Sequence, residues 1–329
     1  MQWQGRRVLV TGAGGFIGSH LVERLLPLGA HVRCLVRYTS RGDIGLLRFV
    51  PPAILRQVEW AYGDLRDADA VRRCAEGCHT IFHLGALISI PYSYVHPREV
   101  VETNVLGTLN VLEAARACAV EQLIHTSSSE VYGTARYVPI DEGHPLQGQS
   151  PYSASKIGAD RLAESYWRAF DVPVTTVRPF NTYGPRQSAR AVIPTIVTQA
   201  LTGKTVRLGN LQPTRDLTFV ADTVTGMMAV AEAQGLVGQE INLGSGNEVS
   251  IADLVEKICA IVGHPVRVIS EQRRKRPRLS EVERLLADTR KAQALLHWAP
   301  EVTLEEGLRQ TVAWIAEHLG WYRPGEYQV

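Results

Sequence analysis

The sequence predicts an α/β fold: a doubly wound parallel sheet followed by a smaller C-terminal α/β lobe. Three observations predict it. Short apolar strands alternate with longer helical stretches through the first 180 residues, a glycine-rich turn joins the first strand to the first helix, and the alternation loosens after Phe180. Strands separated by helices must pair in parallel through right-handed crossovers. The product is a sheet with helices on both faces.

The elements follow in order. Residues 7–10 form an apolar strand. Residues 19–28 are helical, with Leu21, Val22, Leu25 and Leu26 on one face, and stop at Gly29. Strands follow at 31–36 and 58–62, a helix at 68–75 and a buried strand at 80–84. A long helix spans 99–117, before a strand at 122–126. A helix at 155–170 leads to a strand at 174–178. Beyond a loop at 185–188, helices are expected at 192–201, 222–233, 251–262, 289–296 and 304–319, with strands at 206–208, 240–243 and 266–269.

Composition narrows the function classes. The chain has 329 residues, 45% hydrophobic and 21% charged, which suits a globular protein with a large core. A net charge of +2 gives no field directed at nucleic acid or membrane. The N-terminal apolar run is broken by Thr11 and glycines, so it reads as neither signal peptide nor anchor. No stretch reaches the length of a bilayer span. Five scattered cysteines lack a second pair or a histidine set beside Cys74 and Cys78, so no metal site is expected. Reduced thiols and these absences point to a cytoplasmic protein.

Gly12, Gly15 and Gly18 stand in TGAGGFIG (11–18), between strand and helix. Such glycines permit a tight turn, close approach of a pyrophosphate, and close helix–strand packing. Phe16 and Ile17 open the helix whose N–H groups would meet the phosphates. This is the context of a dinucleotide site in a Rossmann sheet. At the end of the second strand Arg37 stands where an acid would bind the adenine ribose. A guanidinium there favours a 2′-phosphate, so the cofactor reads as NAD(P) with a leaning to NADP. Stacking of Arg37 on adenine would allow NAD as well. Asp64 and Leu65 follow the third strand, within reach of the adenine.

Tyr152 and Lys156 lie four apart at a helix start, on one face. A phenol with a pKa of about 10 needs help to act as a base. An adjacent ammonium and an oxidised nicotinamide both favour the phenolate. The strand at 122–126 runs into Ser127-Ser128-Ser129-Glu130, at the strand end where such sheets bind ligands.

On these residues the chain resembles the extended short-chain dehydrogenase/reductases of the nucleotide-sugar epimerase/dehydratase group. Further carriers are HLGA (83–86), NVLGT (104–108), SSSEVYG (127–133), SPYSASK (150–156), RPFNTYGPRQ (178–187), PTRDLTFVAD (213–222) and NLGSG (242–246). The resemblance covers essentially the whole chain. It implies that residues 1–180, joined by 217–245, hold the dinucleotide, with Leu84 and Ala86 in its wall. Residues 181–216 and 246–329 then form the nucleotide-sugar lobe. It implies Tyr152 as base, Lys156 as its electrostatic partner and Ser128 as donor to the reacting hydroxyl. Ser89, Asn104, Asn181, Arg186 and Arg215 fall on the substrate side, Asn104 also supporting the lysine. Arg276 or Arg278 closes over the diphosphate, while the run 273–276 otherwise reads as a solvated loop or a nucleic-acid patch. A homodimer through the 99–117 and 155–170 helices is also implied.

Glu130 carries the finer expectation. Dehydration at C5/C6 needs a base that a 4-epimerase does not, and Glu130 stands where that base would stand. Many dehydratases acting on dTDP-glucose have Asp before this Glu; here it is Ser129. Either Glu130 returns its proton to the C6 oxygen or Ser129 relays one. The stretches 181–201 and 276–288 resemble N-acetylglucosamine nucleotide 4,6-dehydratases of legionaminic-acid-type pathways. The expectation is therefore a 4,6-dehydratase of UDP- or GDP-N-acetylglucosamine, with UDP-glucuronate decarboxylase or 4-epimerase as alternatives. A non-catalytic dinucleotide-binding regulator would be expected to lack Tyr152 or Lys156, and both are present.

Overall fold

The structure, a computed structural model, describes residues 3–324. The first half alternates as expected: β1 (Arg7–Thr11), α1 (Phe16–Leu25), β2 (His31–Val36), α2 (Pro52–Leu55), β3 (Glu59–Tyr62), α3 (Ala68–Ala75), β4 (Thr80–His83), α4 (Ile90–Val95), α5 (Pro97–Val101), α6 (Gly107–Ala117), β5 (Gln122–Thr126), α7 (Pro151–Phe170) and β6 (Val174–Pro179). The second half adds β7 (Asn181–Tyr183), α8 (Val192–Thr202), β8 (Thr205–Leu208), β9 (Thr214–Phe219), α9 (Val220–Glu232), β10 (Glu240–Leu243), β11 (Glu248–Ser250), α10 (Ile251–Val262), β12 (Arg267–Ser270), β13 (Arg284–Leu285), α11 (Arg290–Leu296), α12 (Leu304–Glu317) and α13 (Leu319–Tyr322).

Seven strands pair in parallel in the order β3-β2-β1-β4-β5-β6-β10. The winding reverses between β1 and β4, which opens a crevice at their C-terminal ends. Successive side chains leave a strand on opposite faces. Leu9, Ile81 and Leu123 therefore pack with the α3, α6 and α7 residues Val71, Leu112 and Ala163. Val8, Val10, Phe82 and Ile124 face the opposite layer, where α1 and α9 lie against each other. Burial on both faces explains why these strands read as near-continuous apolar runs.

The chain returns to the large sheet through α9 and β10, and α11 packs on both. The rest forms a smaller lobe. There β9 pairs with β7, β11 and β13, while β8 and β12 form a separate parallel pair. The sequence missed β9 because it lacks alternation. Arg215, Asp216 and Thr218 are as buried as Leu217 and Phe219. Asp216 is satisfied by the Ser245, Gly246 and Ala287 N–H groups at 2.7, 2.9 and 3.1 Å.

One expected helix, 99–117, is not continuous. A π-helical turn, Glu102–Leu106, separates α5 from α6. At its centre is Asn104, whose side chain accepts from the Leu87 N–H and donates to Leu87 O and Ser155 Oγ at 2.7–3.0 Å. A π turn of this kind re-aims one side chain within a helix. The expected helix at 155–170 starts earlier, at Pro151, because Ser150 and Ser153 form a capping box. Among the described residues, no helix is long and apolar enough to cross a membrane.

Candidate active site

The glycine loop forms one wall of the crevice. Gly12 has φ +69°, and a Cβ there would lie 2.7 Å from the Gly85 nitrogen. A Cβ on Gly18 would lie 2.3 Å from the Gly12 oxygen, so α1 can approach the turn only without one. Gly15 caps α1 without a side-chain bond, which leaves the first N–H groups, at Phe16 and Ile17, to a ligand. The opposite wall comes from a loop the sequence did not single out. Leu46 N–H donates to Gly14 O at 2.8 Å, which holds Ile44 and Gly45 over the glycines. The cleft has a volume of about 340 Å³ and is lined by Gly12, Gly15, Arg37, Asp64, Leu65 and Ala86, among others. Leu84 lies deeper, its N–H bonded to Thr11 O. This glycine cradle, open at a helix N-terminus, fits a dinucleotide pyrophosphate.

At the far end of the cleft, Arg37 is exposed and lies 3.4 Å from Asp64 and 3.8 Å from Glu99. Asp64 also accepts from Arg66 at 2.7 and 2.9 Å. Those Arg66 bonds are the main reason its carboxyl is held down at about 2.

Tyr152 and Lys156 are both buried, on the first turns of α7. Burial pushes the Tyr152 phenol up to about 12, against a hydrogen bond with Ser128 that lowers it. Burial also brings the Lys156 ammonium down to about 8, opposed by the charge of Asp160. Lys156 Nζ donates to Thr126 O at 2.6 Å, which ties it to the end of β5. Ser128 caps the 3₁₀ turn Ser129–Tyr132 by accepting from the Glu130 N–H at 3.2 Å. That turn buries Ser129 and Glu130. Ser128, Glu130, Tyr152 and Lys156 thus converge at the C-terminal end of β5.

Behind this group lies a buried network that sequence reasoning missed. Asp160, one turn beyond Lys156, accepts from Ser127 Oγ at 2.8 Å and from Arg178 at 3.2 Å, and lies 3.2 Å from His125 Nε2. His83 bridges Thr11 and Thr108 at 2.7 and 3.0 Å. Thr108 gives its own proton to Asn104 O, and Thr11 accepts the Gly85 N–H. His83 therefore donates from Nε2 and accepts at Nδ1, as a neutral ring. Burial holds its pKa well below the ordinary value.

The expected substrate-side residues divide. Arg215 and Arg276 approach the site from the lobe, while Asn181 opens β7 beside β9. Arg276 lies 3.4 Å from both Glu130 oxygens, and Arg215 3.7 Å from Glu281. Asn181 Oδ1 is buried without a hydrogen-bond partner. Ser89 caps α4, accepting from the Tyr92 N–H. Arg278 is exposed on the neighbouring turn. Two residues are engaged elsewhere. Asn104 spends its side chain on Leu87 and Ser155, so it braces α7 rather than presenting itself to a sugar. Arg186 pairs with Glu23 of α1 at 2.5 Å, beside His20, and so pins the lobe to the large sheet. Burial and the Arg186 charge hold His20 down at about 4.

A dinucleotide cradle beside a Ser–Tyr–Lys group on a doubly wound sheet defines an extended short-chain dehydrogenase/reductase. The chain matches the family described as GDP-mannose 4,6 dehydratase over residues 9–311. It is 37% identical to a UDP-glucose 4-epimerase of Mycolicibacterium smegmatis, over 93% of this chain and 97% of that one. It is 34% identical to a dTDP-glucose 4,6-dehydratase of Streptomyces griseus, over 96% of each. Among solved structures, the dTDP-glucose 4,6-dehydratase DesIV of Streptomyces venezuelae, determined with NAD bound, superposes with a TM-score of 0.86 at 32% identity. That match covers 96% of this chain and 99% of DesIV. The chain belongs to the GDP-mannose 4,6-dehydratase-like family of extended dehydrogenase/reductases, the sugar-nucleotide dehydratases and epimerases.

Proposed function

We propose that this protein is a nucleotide-sugar 4,6-dehydratase acting on UDP- or GDP-N-acetylglucosamine and releasing a 4-keto-6-deoxy sugar. The observation that carries the reading is Glu130. It is a buried carboxylate at the end of β5, close enough to Tyr152 to act on its charge.

Gly12, Gly15, Gly18, Phe16 and Ile17 hold the pyrophosphate in this reading, and Arg37, Asp64, Leu65, Leu84 and Ala86 surround the rest of the dinucleotide. Bound there, an oxidised nicotinamide supplies a hydride acceptor, later a donor, and a positive charge that favours the Tyr152 phenolate. Tyr152 takes the C4 hydroxyl proton, Lys156 stabilises the phenolate and Ser128 orients the hydroxyl. The resulting ketone acidifies the C5 proton, which Glu130 removes. The C6 hydroxyl then leaves as water, protonated by Glu130 or through Ser129, and the C5=C6 bond is saturated by return of the hydride to C6 and a proton to C5. Asn181, Arg215 and Arg276 hold the diphosphate, with Ser89 and Arg278 at the rim. Arg37 favours NADP over NAD. The enzyme works as a homodimer through α5–α7, where Val101, Leu106 and Phe170 are exposed.

Incubation with UDP- and GDP-N-acetylglucosamine and mass analysis of the product tests this. A product lighter by one water is expected, and Glu130→Gln should abolish it. Full dehydration by that variant would remove Glu130 as the base. A second reading, 4-epimerase, is favoured by Ser129 in place of an acid and by the similarity to the Mycolicibacterium smegmatis protein. It predicts an isomer of unchanged mass.

A further inference from the structure

The mouth of the site carries four alternating charges. Glu130 faces Arg276, whose Nη1 lies 3.4 Å from each carboxylate oxygen. Arg276 Nε lies 4.0 Å from Glu281, and Arg215 lies 3.7 Å from the same carboxylate. A good charge-assisted bond is about 2.7–2.9 Å long, so every link here is slack. The quartet is neutral in sum and largely withdrawn from solvent, with side-chain exposures of 9–25%.

The four are not equally free to move. Ser280, next to Glu281, donates to Gln149 O at 2.5 Å, and the Glu281 carbonyl accepts from Gln149 and Thr134 at 3.2 and 3.3 Å. Arg215 donates to its neighbour's carbonyl, Thr214 O, at 2.8 Å. Arg276 lies before this anchor, between exposed Lys275 and exposed Pro277. Its guanidinium, on a long stem, is the most exposed of the four.

We infer that a substrate diphosphate draws Arg276 away from Glu130, with Glu281 as a second carboxylate that holds Arg276 and Arg215 until the diphosphate displaces it. This rests on the nucleotide-sugar reading above. The phosphates are a denser anion than either carboxylate and match the fork of a guanidinium. Glu130 and Glu281 are then competitors of the diphosphate for the same cations. Glu130 keeps its counter-cation until a substrate arrives, and the hand-over leaves its carboxylate free to act at C5. Binding at the diphosphate and the charge of Glu130 are thereby coupled, and coupling is reciprocal.

Calorimetric titration with UDP, GDP and dTDP tests this, keeping whichever binds the wild type best. Glu130→Gln and Glu281→Gln should each bind that nucleotide about two- to fivefold more tightly, the scale of a slack ion pair. Glu281→Asp should restore wild-type affinity. Arg276→Gln should bind more weakly, and Glu130→Gln should add no gain in its background. Structural damage does not tighten binding, so the gains cannot come from misfolding. Glutamine variants that bind no tighter overturn the hand-over. A Glu130→Gln gain that persists in Arg276→Gln also overturns it, because simple anion repulsion would then suffice. A wild type that binds none of the three nucleotides instead sinks the nucleotide-sugar reading.

Discussion

Asp160 on α7 accepts from both Nε and Nη2 of Arg178 on β6, each at 3.2 Å, one helical turn behind Lys156. Both side chains are essentially inaccessible. Arg178 also donates to Tyr132 at 3.1 Å, and Tyr132 to Asn242 at 2.7 Å. The pair therefore joins α7, β6, β10 and the turn that carries Glu130. Removing one partner of a buried pair leaves the other uncompensated.

Asp160→Ala should accordingly cost about 3–5 kcal/mol of folding stability, read by urea unfolding at pH 7. A loss below about 1 kcal/mol would contradict the role of the pair. Burial alone would raise the Asp160 pKa, but His125, Arg178 and Ser127 outweigh it and hold it below the ordinary value. A depressed carboxylate stabilises the fold above its unfolded pKa, and this is lost as pH falls through the folded one. The wild type should therefore lose stability on acidification more steeply than Asp160→Ala.

Lys156 gives the same sign on the alkaline side, because its pKa is depressed as well. Burial lowers it to about 8 in the fold, against about 10.4 unfolded. Above pH 8 the folded protein sheds this proton while the unfolded chain keeps it, so the Lys156 contribution to stability rises up to about pH 10. Activity should move the other way, because the ammonium supports the Tyr152 phenolate. The expected result is a kcat/KM that falls above about pH 8 while urea stability does not follow. Lys156→Met should flatten the stability slope in that interval. A kcat/KM still rising at pH 9.5 would contradict this assignment.

The glycine cradle permits a sharper test by sterics alone. A Cβ on Gly18 meets the Gly12 oxygen at 2.3 Å, and both are backbone-fixed. Gly18→Ala should weaken dinucleotide binding by about tenfold or more, followed by fluorescence titration. Gly203→Ala is the control, since its nearest neighbour would lie at 3.8 Å and its φ is extended. Equal effects of the two substitutions would show that the cradle does not depend on close approach.

The parallel sheet was legible because β1, β4 and β5 are short apolar runs and α1 and α7 are periodic. The glycine loop and the Tyr152–Lys156 spacing were legible because local geometry demands those residue types. Asp160, His83 and Arg178 were not, because a polar residue buried by partners from other elements looks like any polar residue in one dimension. The same holds for β9, where Asp216 is satisfied by N–H groups from 245–246 and 287. Arg186 shows the converse. Its motif placed it on the substrate side, but its guanidinium pairs with Glu23 of α1.

Arg37 is the residue on which the proposed NADP preference rests, and its neighbours temper the expectation. It lines the cleft, and in the proposed pose a 2′-phosphate would meet it there. Asp64 and Glu99, at 3.4 and 3.8 Å, already offset part of its charge and would repel a second anion. A charge-assisted bond to phosphate is worth about 1.5–3 kcal/mol, or roughly 10- to 100-fold, and the flanking acids push this toward the lower end. Arg37→Ala should therefore weaken NADP binding about tenfold and leave NAD within about twofold. Asp64→Asn should have the opposite effect on NADP, tightening it as repulsion falls. Fluorescence titration of both variants with both cofactors checks this. An Arg37→Ala protein with an unchanged NADP to NAD ratio would assign the side chain to stacking on the adenine instead.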